Sequence, residues 1–166
     1  KAVERIIKAI NQKEQIVIFG DYDVDGITST TVLKKFLEDI GVQAKYTIPN
    51  RLSEGYGLHK EALKTIKDEG GNLVITVDCG ITAIEEVAFA NSIGLDVIIT
   101  DHHEPIDELP DALAIVNAKR KDSIYPFRNL AGVGTVFKLI QALTKRLGLP
   151  DKLFLQYLDI VAVGTI

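Results

Sequence analysis

Apolar, β-branched segments that end abruptly in aspartate constrain the fold of this chain more than any other feature. Three such segments occur, at residues 15–20, 73–77 and 96–100. The aspartates that follow them are Asp21, Asp23 and Asp25, then Asp78, then Asp101. Because strands buried on both faces are near-continuous apolar runs, these segments are predicted to be strands of one parallel sheet.

Segments with helical periodicity alternate with the strands. They lie at residues 2–11, 27–40, 59–69, 130–147 and 151–163, with one more ending near residue 91. Thr82 is the predicted N-cap of that last helix. Two further strands are predicted at 43–48 and 112–116. The alternation predicts an α/β fold, a parallel sheet of about five strands with helices on both faces.

The aspartates are predicted to form a metal site. Parallel strands share a direction, and ligands of open α/β sheets bind beyond the carboxyl ends of the strands. Three carboxylates within five residues, at positions 21, 23 and 25, repel one another unless a cation or a proton compensates them. Hard divalent cations prefer oxygen ligands. The other half of the site is expected from Asp78 and from the Asp-His-His run at 101–103.

Simpler interpretations exist for each motif. Residues 21–26 match the first half of an EF-hand loop, but the twelfth position is Val32 where that loop needs Glu. Taken alone, the segment could also be a solvated turn with helix-capping aspartates. Adjacent histidines point in different directions, so at most one of His102 and His103 is expected to share a ligand set with Asp78. Cys79 is expected to be a small buried apolar residue.

Candidate phosphate contacts lie in two loops and at one helix start. Arg51 and Arg128 stand in loops that contain glycine or aromatic residues, whereas Lys119 and Lys121 fit an ordinary solvated surface. The sequence Gly132-Val133-Gly134 opens a helix and could present backbone N–H groups to an anion. It could equally serve close helix packing, and both interpretations stay open at this point.

Composition limits the functional class. The chain has 166 residues, enough for one domain, and a formal charge of −4, which argues against a general nucleic-acid-coating protein. A nucleic-acid enzyme is still compatible, because a metal site adds positive charge. A single cysteine allows no internal disulfide and indicates a reducing, cytoplasmic location. No apolar run approaches the ~20 residues of a membrane helix, so no membrane partner is expected.

Together these motifs resemble the DHH phosphoesterase superfamily, named for the run seen here at 101–103. The form Gly-Asp-Tyr-Asp-Val-Asp-Gly at 20–26 is similar to its bacterial single-strand-specific exonucleases. So are the motifs at 48–51, 54–58, 77–80, 116–117, 125–127 and 130–134. Phe19 stands where many relatives outside that group carry His. The resemblance covers essentially the whole chain and implies a Rossmann-like DHH domain.

The resemblance also implies roles. Asp23, Asp25, Asp78 and His102 would bind two divalent ions, Mn²⁺ or Mg²⁺, with Asp78 bridging them. His103 would face the scissile phosphate. The residues themselves add Arg51, Arg128, Gly132 and Gly134 as candidate contacts to the substrate phosphate. Asp21 and Asp101 would support the ligands without binding the ions. The implied reaction is metal-dependent phosphodiester hydrolysis that releases 5′-mononucleotides from single-stranded DNA in DNA repair and recombination.

Two alternatives remain: a phosphodiesterase for short oligoribonucleotides or cyclic dinucleotides, and a non-catalytic replication scaffold of the same fold. Single-stranded DNA is the expected partner, and a single-strand-binding protein or a helicase is a further candidate. The family's fourth motif places an Asp after a Val-Gly-Thr turn, which residues 163–165 resemble. The expectation is therefore a DHH domain, 1–166, cut before that motif, without the family's C-terminal domain, and weak or inactive alone.

Overall fold

The computed structural model describes residues 1–49 and 57–166. Its strands are β1 (Gln15–Gly20), β2 (Lys45–Thr47), β3 (Gly71–Val77), β4 (Asp96–Thr100) and β5 (Ala114–Val116). They form one sheet in the order β2-β1-β3-β4-β5, and every neighbouring pair is parallel. The predicted α/β class is confirmed, although β2 and β5 are shorter than the sequence pattern indicated.

Seven helices are described: α1 (Ala2–Gln12), α2 (Val24–Asp39), α3 (Lys60–Asp68), α4 (Ile84–Ser92), α5 (Gly132–Arg146), α6 (Lys152–Leu155) and α7 (Leu158–Thr165). Two apolar cores lie on opposite faces of the sheet. Ile18 packs with Leu33 of α2 and Ile140 of α5, whereas the next strand residue, Phe19, packs with Leu63 of α3. This alternation follows from the two-residue period of a strand. Within the described ranges, none of the helices has the length and apolar character needed to cross a membrane.

The strand register aligns the residues that follow each strand. Gly20 pairs with Val77, Val77 with Thr100, and Thr100 with Val116. The next residues along the chain therefore meet at the carboxyl edge of the sheet: Asp21, Asp78, Asp101 and Asn117. Neighbouring strands lie about 4.8 Å apart, so these four positions form a short row along one edge.

The start of α4 differs from the prediction. Thr82 was predicted to cap this helix, but the N-cap position is Ala83, and no side chain accepts a hydrogen bond there. A short turn precedes the helix instead, in which the N–H of Ala83 donates to the carbonyl of Gly80 at 3.0 Å. The left-handed backbone of Gly80, with φ of 105°, allows that turn.

The C-terminal helix also differs from the prediction. The segment 151–163 was predicted to be one helix, but α6 ends at Leu155 and α7 begins at Leu158. Tyr157 lies at the break, is buried, and donates its hydroxyl to Asp39 of α2 at 2.6 Å. Anchoring this side chain on α2 stabilises the interruption between the two helices.

Candidate metal centre

The three aspartates that follow β1 make different contacts. Asp21 is buried directly after the strand, and its Oδ1 accepts the N–H of Tyr22 at 2.7 Å. Burial and the nearby charge of Asp23 raise its pKa. Asp23 is the N-cap of α2, with Oδ1 accepting the N–H of Gly26 at 2.8 Å. Asp25 lies in the first turn of the same helix.

Asp78 is the buried centre of the cluster. Its side chain is 1% exposed, and its backbone adopts a left-handed φ of 62°, which is uncommon outside glycine, asparagine and aspartate. Among the described residues, Oδ1 has no hydrogen-bond partner, although Nε2 of His102 lies 3.0 Å away. Burial, with the charges of Asp25 and Asp23, raises the pKa of Asp78 to about 6, despite the opposing effect of His102. A buried acceptor without a hydrogen bond is uncommon in folded proteins and marks a candidate position for a bound ion.

His102 connects Asp78 to Asp25. Its Nε2 lies 3.0 Å from Oδ1 of Asp78 and 3.6 Å from Oδ2 of Asp25. The contact with Asp78 raises the pKa of His102, against the effect of burial. The imidazole Nε2 therefore lies beside carboxylate oxygens of both aspartates.

The potential ligand atoms form two overlapping groups. Atoms of Asp78, His102 and His103 lie within 4.8 Å of one another, and so do atoms of Asp21, Asp23 and Asp78. Asp78 belongs to both groups. Asp21 was predicted to support the ligands from outside, yet the structure places its carboxylate among them.

Asp101 holds His103. Oδ1 of Asp101 accepts the N–H of His102 at 2.7 Å and both the N–H and Nδ1 of His103, at 3.1 and 2.7 Å. Its Oδ2 accepts the N–H of Ile81 at 2.9 Å. Burial alone would raise the pKa of Asp101, but these hydrogen bonds lower it below the ordinary value. These contacts fix the position of His103, and the supporting role of Asp101 at a metal site stays a prediction.

Asp25 contacts the start of α5. Its Oδ2 accepts the N–H of Gly132 and its Oδ1 the N–H of Val133, each at 2.7 Å. The sequence pattern predicted that the N–H of Gly132 would face a substrate phosphate; the anion at this helix start is instead a side chain of the protein. Gly134 is buried and packs against Leu130, the packing alternative left open above.

The predicted basic contacts are less well defined. Arg51 lies outside the described residues, as does the adjoining loop at 50–56. Arg128 is exposed, and its Nη2 donates to the carbonyl of Lys119 at 2.5 Å. Lys119 and Lys121 form surface ion pairs with acidic residues of the neighbouring loop, Glu104 at 3.3 Å and Asp107 at 3.0 Å. An ordinary solvated surface was the prediction for these two lysines.

Asn117 is a functional candidate that the sequence reasoning did not single out. It is buried at the end of β5, in register with the aspartates. Its Nδ2 donates to the carbonyl of His103 at 2.9 Å, and its Oδ1 accepts the N–H of Lys119 at 2.8 Å. The amide thus ties the histidine loop to the following loop. The sequence signal for Asn117 was its place as a polar residue directly after the fifth apolar strand.

Cavities do not identify this site. Two cavities, of about 570 and 650 Å³, lie along β5 and α5 and have mostly apolar linings. None of the candidate metal ligands lines either of them. The donor set at the sheet edge, and not a deep pocket, therefore marks the candidate centre.

Carboxylates and imidazoles gathered at the carboxyl edge of a parallel sheet define the chain as an α/β protein with a candidate divalent-metal centre. A match to a known family narrows this class to one protein family. Residues 15–165 match the profile described as "DHH family, N-terminal domain". The chain belongs to the DHH family.

Its relatives are much longer proteins. The chain is 51% identical over 166 residues to the single-stranded-DNA-specific exonuclease RecJ of Bacillus subtilis, covering 100% of this chain and 20% of the relative. Identity to RecJ of Escherichia coli is 38% over 178 residues, covering 100% of this chain and 30% of the relative. Among solved structures, exonuclease RecJ bound to manganese matches with a TM-score of 0.88 and 39% identity, over 99% of this chain and 41% of that one.

Proposed function

We propose that this chain is the DHH domain of a RecJ-type exonuclease, which hydrolyses single-stranded DNA from the 5′ end with divalent ions. The identity to RecJ proteins over the whole chain supports the substrate class. Because the chain spans a fifth to a third of those relatives, the activity belongs to a polypeptide of their length.

One observation carries the chemical part of the proposal. Oδ1 of Asp78 is buried without a hydrogen bond and points toward His102, between two groups of potential ligands. Leaving a buried carboxylate oxygen without a hydrogen bond costs free energy. A cation bound at Oδ1 of Asp78 would offset that cost.

The residues fit Mn²⁺ or Mg²⁺. The donor set consists mainly of carboxylate oxygens, with imidazole nitrogen from His102, which suits these ions better than a soft metal. Asp23, Asp25, Asp78 and His102 would hold the ions, and the position of Asp21 adds it to the candidates. When bound, a pair of such ions supplies an activated water and stabilises charge on the attacking and leaving oxygens.

The chain's own residues would orient the substrate. Asp101 fixes the ring of His103 through Nδ1, and this hydrogen bond raises the pKa of His103 despite its partial burial. A histidine that protonates more readily presents positive charge to a phosphodiester. Asn117 holds the same loop from behind through the carbonyl of His103.

The test is a chimera in which this chain replaces the matching fifth of Bacillus subtilis RecJ. With Mn²⁺ and 5′-labelled single-stranded DNA, the chimera should release mononucleotides, while duplex DNA, short RNA and cyclic dinucleotides should be poor substrates. Asp78→Asn should reduce the rate by more than about 100-fold, because even residues that only support ligands contribute 10–100-fold.

The matched control is Asp68→Asn, an exposed acid of α3 that pairs with Lys64. This variant should retain the rate of the parent chimera. Undiminished activity in the Asp78→Asn chimera would refute the metal assignment, and faster cleavage of a cyclic dinucleotide would favour the phosphodiesterase alternative.

A further inference from the structure

The first turn of α5 is part of the candidate metal centre. Its two leading N–H groups, of Gly132 and Val133, both donate to Asp25, at 2.7 Å each, across more than 100 residues of sequence. The N-cap residue, Ala131, provides no side-chain hydrogen bond of its own. A carboxylate of α2 therefore performs the capping that the sequence around α5 lacks.

The same turn also lies against Asp78. A Cβ atom added to Gly132 would stand 2.4 Å from Oδ1 of Asp78 and 2.7 Å from its Cγ, closer than real Cβ contacts allow. Asp78 is buried, so its side chain has little room to move away. At Gly134, two residues further on, the nearest contact of an added Cβ would be 3.3 Å, to the flexible end of Leu130. The requirement for glycine is thus much stronger at position 132.

The contact between Asp25 and the start of α5 also has an electrostatic effect. A helix N-terminus carries roughly half a positive charge, which offsets part of the repulsion among the clustered carboxylates. Two N–H donors also fix the orientation of the Asp25 side chain. An ionised carboxylate has about four lone-pair sites, so Asp25 can accept both N–H groups and still bind a cation.

We propose that Gly132 is a positioning residue of the metal centre. The helix start holds Asp25 in the orientation of a ligand, and the absence of a side chain at 132 leaves Asp78 in place beside it. Gly132 itself touches neither ion nor substrate; it acts through the two carboxylates. This inference rests on the proposed metal-dependent function. It adds that ion binding depends on the position of α5 relative to α2.

The experiment measures Mn²⁺ binding to the 166-residue chain by isothermal titration calorimetry, with Mn²⁺ alone as the probe. Gly132→Ala should raise the Kd for Mn²⁺ by about 10-fold or more, the range found when support of a metal ligand is lost. Gly134→Ala is the matched control, with the same atom added in the same helix, and its Kd should stay within about twofold. Circular dichroism checks that both variants are folded.

A second variant covers the case in which Gly132→Ala does not fold. Val133→Pro removes one of the two N–H donors at a first-turn position where proline is tolerated. It should also weaken Mn²⁺ binding. In the unsubstituted chain, Mg²⁺ should shift the amide NMR signals of Gly132 and Val133 more than those of the last turn of α5.

The outcomes separate the two proposals. A chain that binds Mn²⁺ with a Kd unchanged by Gly132→Ala, or by Val133→Pro where the alanine variant does not fold, would overturn this inference and leave the proposed function intact. Equal weakening by Gly132→Ala and Gly134→Ala would also overturn it, since the effect would then belong to the helix in general. An unsubstituted chain that binds no Mn²⁺ would overturn this inference, whereas the proposed function is decided separately by the activity of the RecJ chimera.

Discussion

Asp101 accepts both the backbone N–H and the ring Nδ1 of His103, at 3.1 and 2.7 Å, so one buried carboxylate sets the position and the orientation of that histidine. The side chain of His103 remains 47% exposed. The orientation and the pKa of His103 therefore depend on Asp101, which is buried.

Replacing Asp101 should change the titration of His103. The hydrogen bond from this carboxylate raises the pKa of His103, so Asp101→Asn should lower that pKa toward the ordinary value. Proton NMR of the metal-free chain between pH 5 and 9 measures the change. Asp122→Asn is the control, because Asp122 pairs with Arg120 on the surface and should leave His103 unaffected. An unchanged titration in Asp101→Asn would contradict the assignment.

Removing the charge of Asp78 should stabilise the metal-free chain. The folded-state pKa of about 6 exceeds the ordinary value of 3.8, so this carboxyl favours folding at low pH, and that contribution is lost as pH rises through about 6. Two pKa units correspond to at most roughly 3 kcal/mol, a value that already contains the opposing effect of His102. Asp78→Asn should raise the free energy of unfolding by about 1–2 kcal/mol at pH 8, and by less at pH 4.

Urea unfolding with EDTA at the two pH values provides that measurement. Asparagine is chosen because it tolerates the left-handed backbone at position 78. A variant that is less stable than the parent at pH 8 would show that the charge of Asp78 is compensated within the chain itself.

Mn²⁺ should raise the melting temperature of the unsubstituted chain. Binding to the folded state alone stabilises by about 2.7 kcal/mol at a concentration of 100 Kd. The same titration should have no effect on Asp78→Asn, while Asp68→Asn should respond like the parent. Equal Mn²⁺ responses in the parent and in Asp78→Asn would place the ion elsewhere.

The two hydrogen bonds of Asn117 can be tested separately. Asn117→Ala leaves the carbonyl of His103 and the N–H of Lys119 without their partner and should cost about 1–3 kcal/mol of stability. Asn117→Asp keeps an acceptor for Lys119 but loses the donor to His103. In the RecJ chimera, both variants should lower kcat with little change in KM, since the histidine loop would be misplaced. Wild-type kcat in Asn117→Asp would show that the bond to His103 has no positioning role.

The sheet and its edge were predictable because the strong signals are local. Apolar runs that each end in aspartate predicted parallel strands with aligned ends, and the register from Gly20 through Val77 to Thr100 confirms this. The proximity of His102 to Asp78 follows from the same pattern. The metal-ligand roles of these residues stay predictions.

What the sequence did not predict depends on contacts between distant segments. Nothing local shows that Asp25 accepts N–H groups of α5, because the contact joins residues 107 positions apart. The break between α6 and α7 likewise depends on a hydrogen bond from Tyr157 to Asp39. The error at Thr82 has a different cause: the turn after β3 uses backbone hydrogen bonds where a capping side chain was expected.

The left-handed backbone at Asp78 limits which residues can replace this aspartate without strain. Most replacements would remove the carboxylate and also strain the turn by about 1–2 kcal/mol. Asparagine and glycine are the exceptions, since both adopt that conformation readily. A relative that has become a purely structural partner should therefore carry one of those two residues at this position.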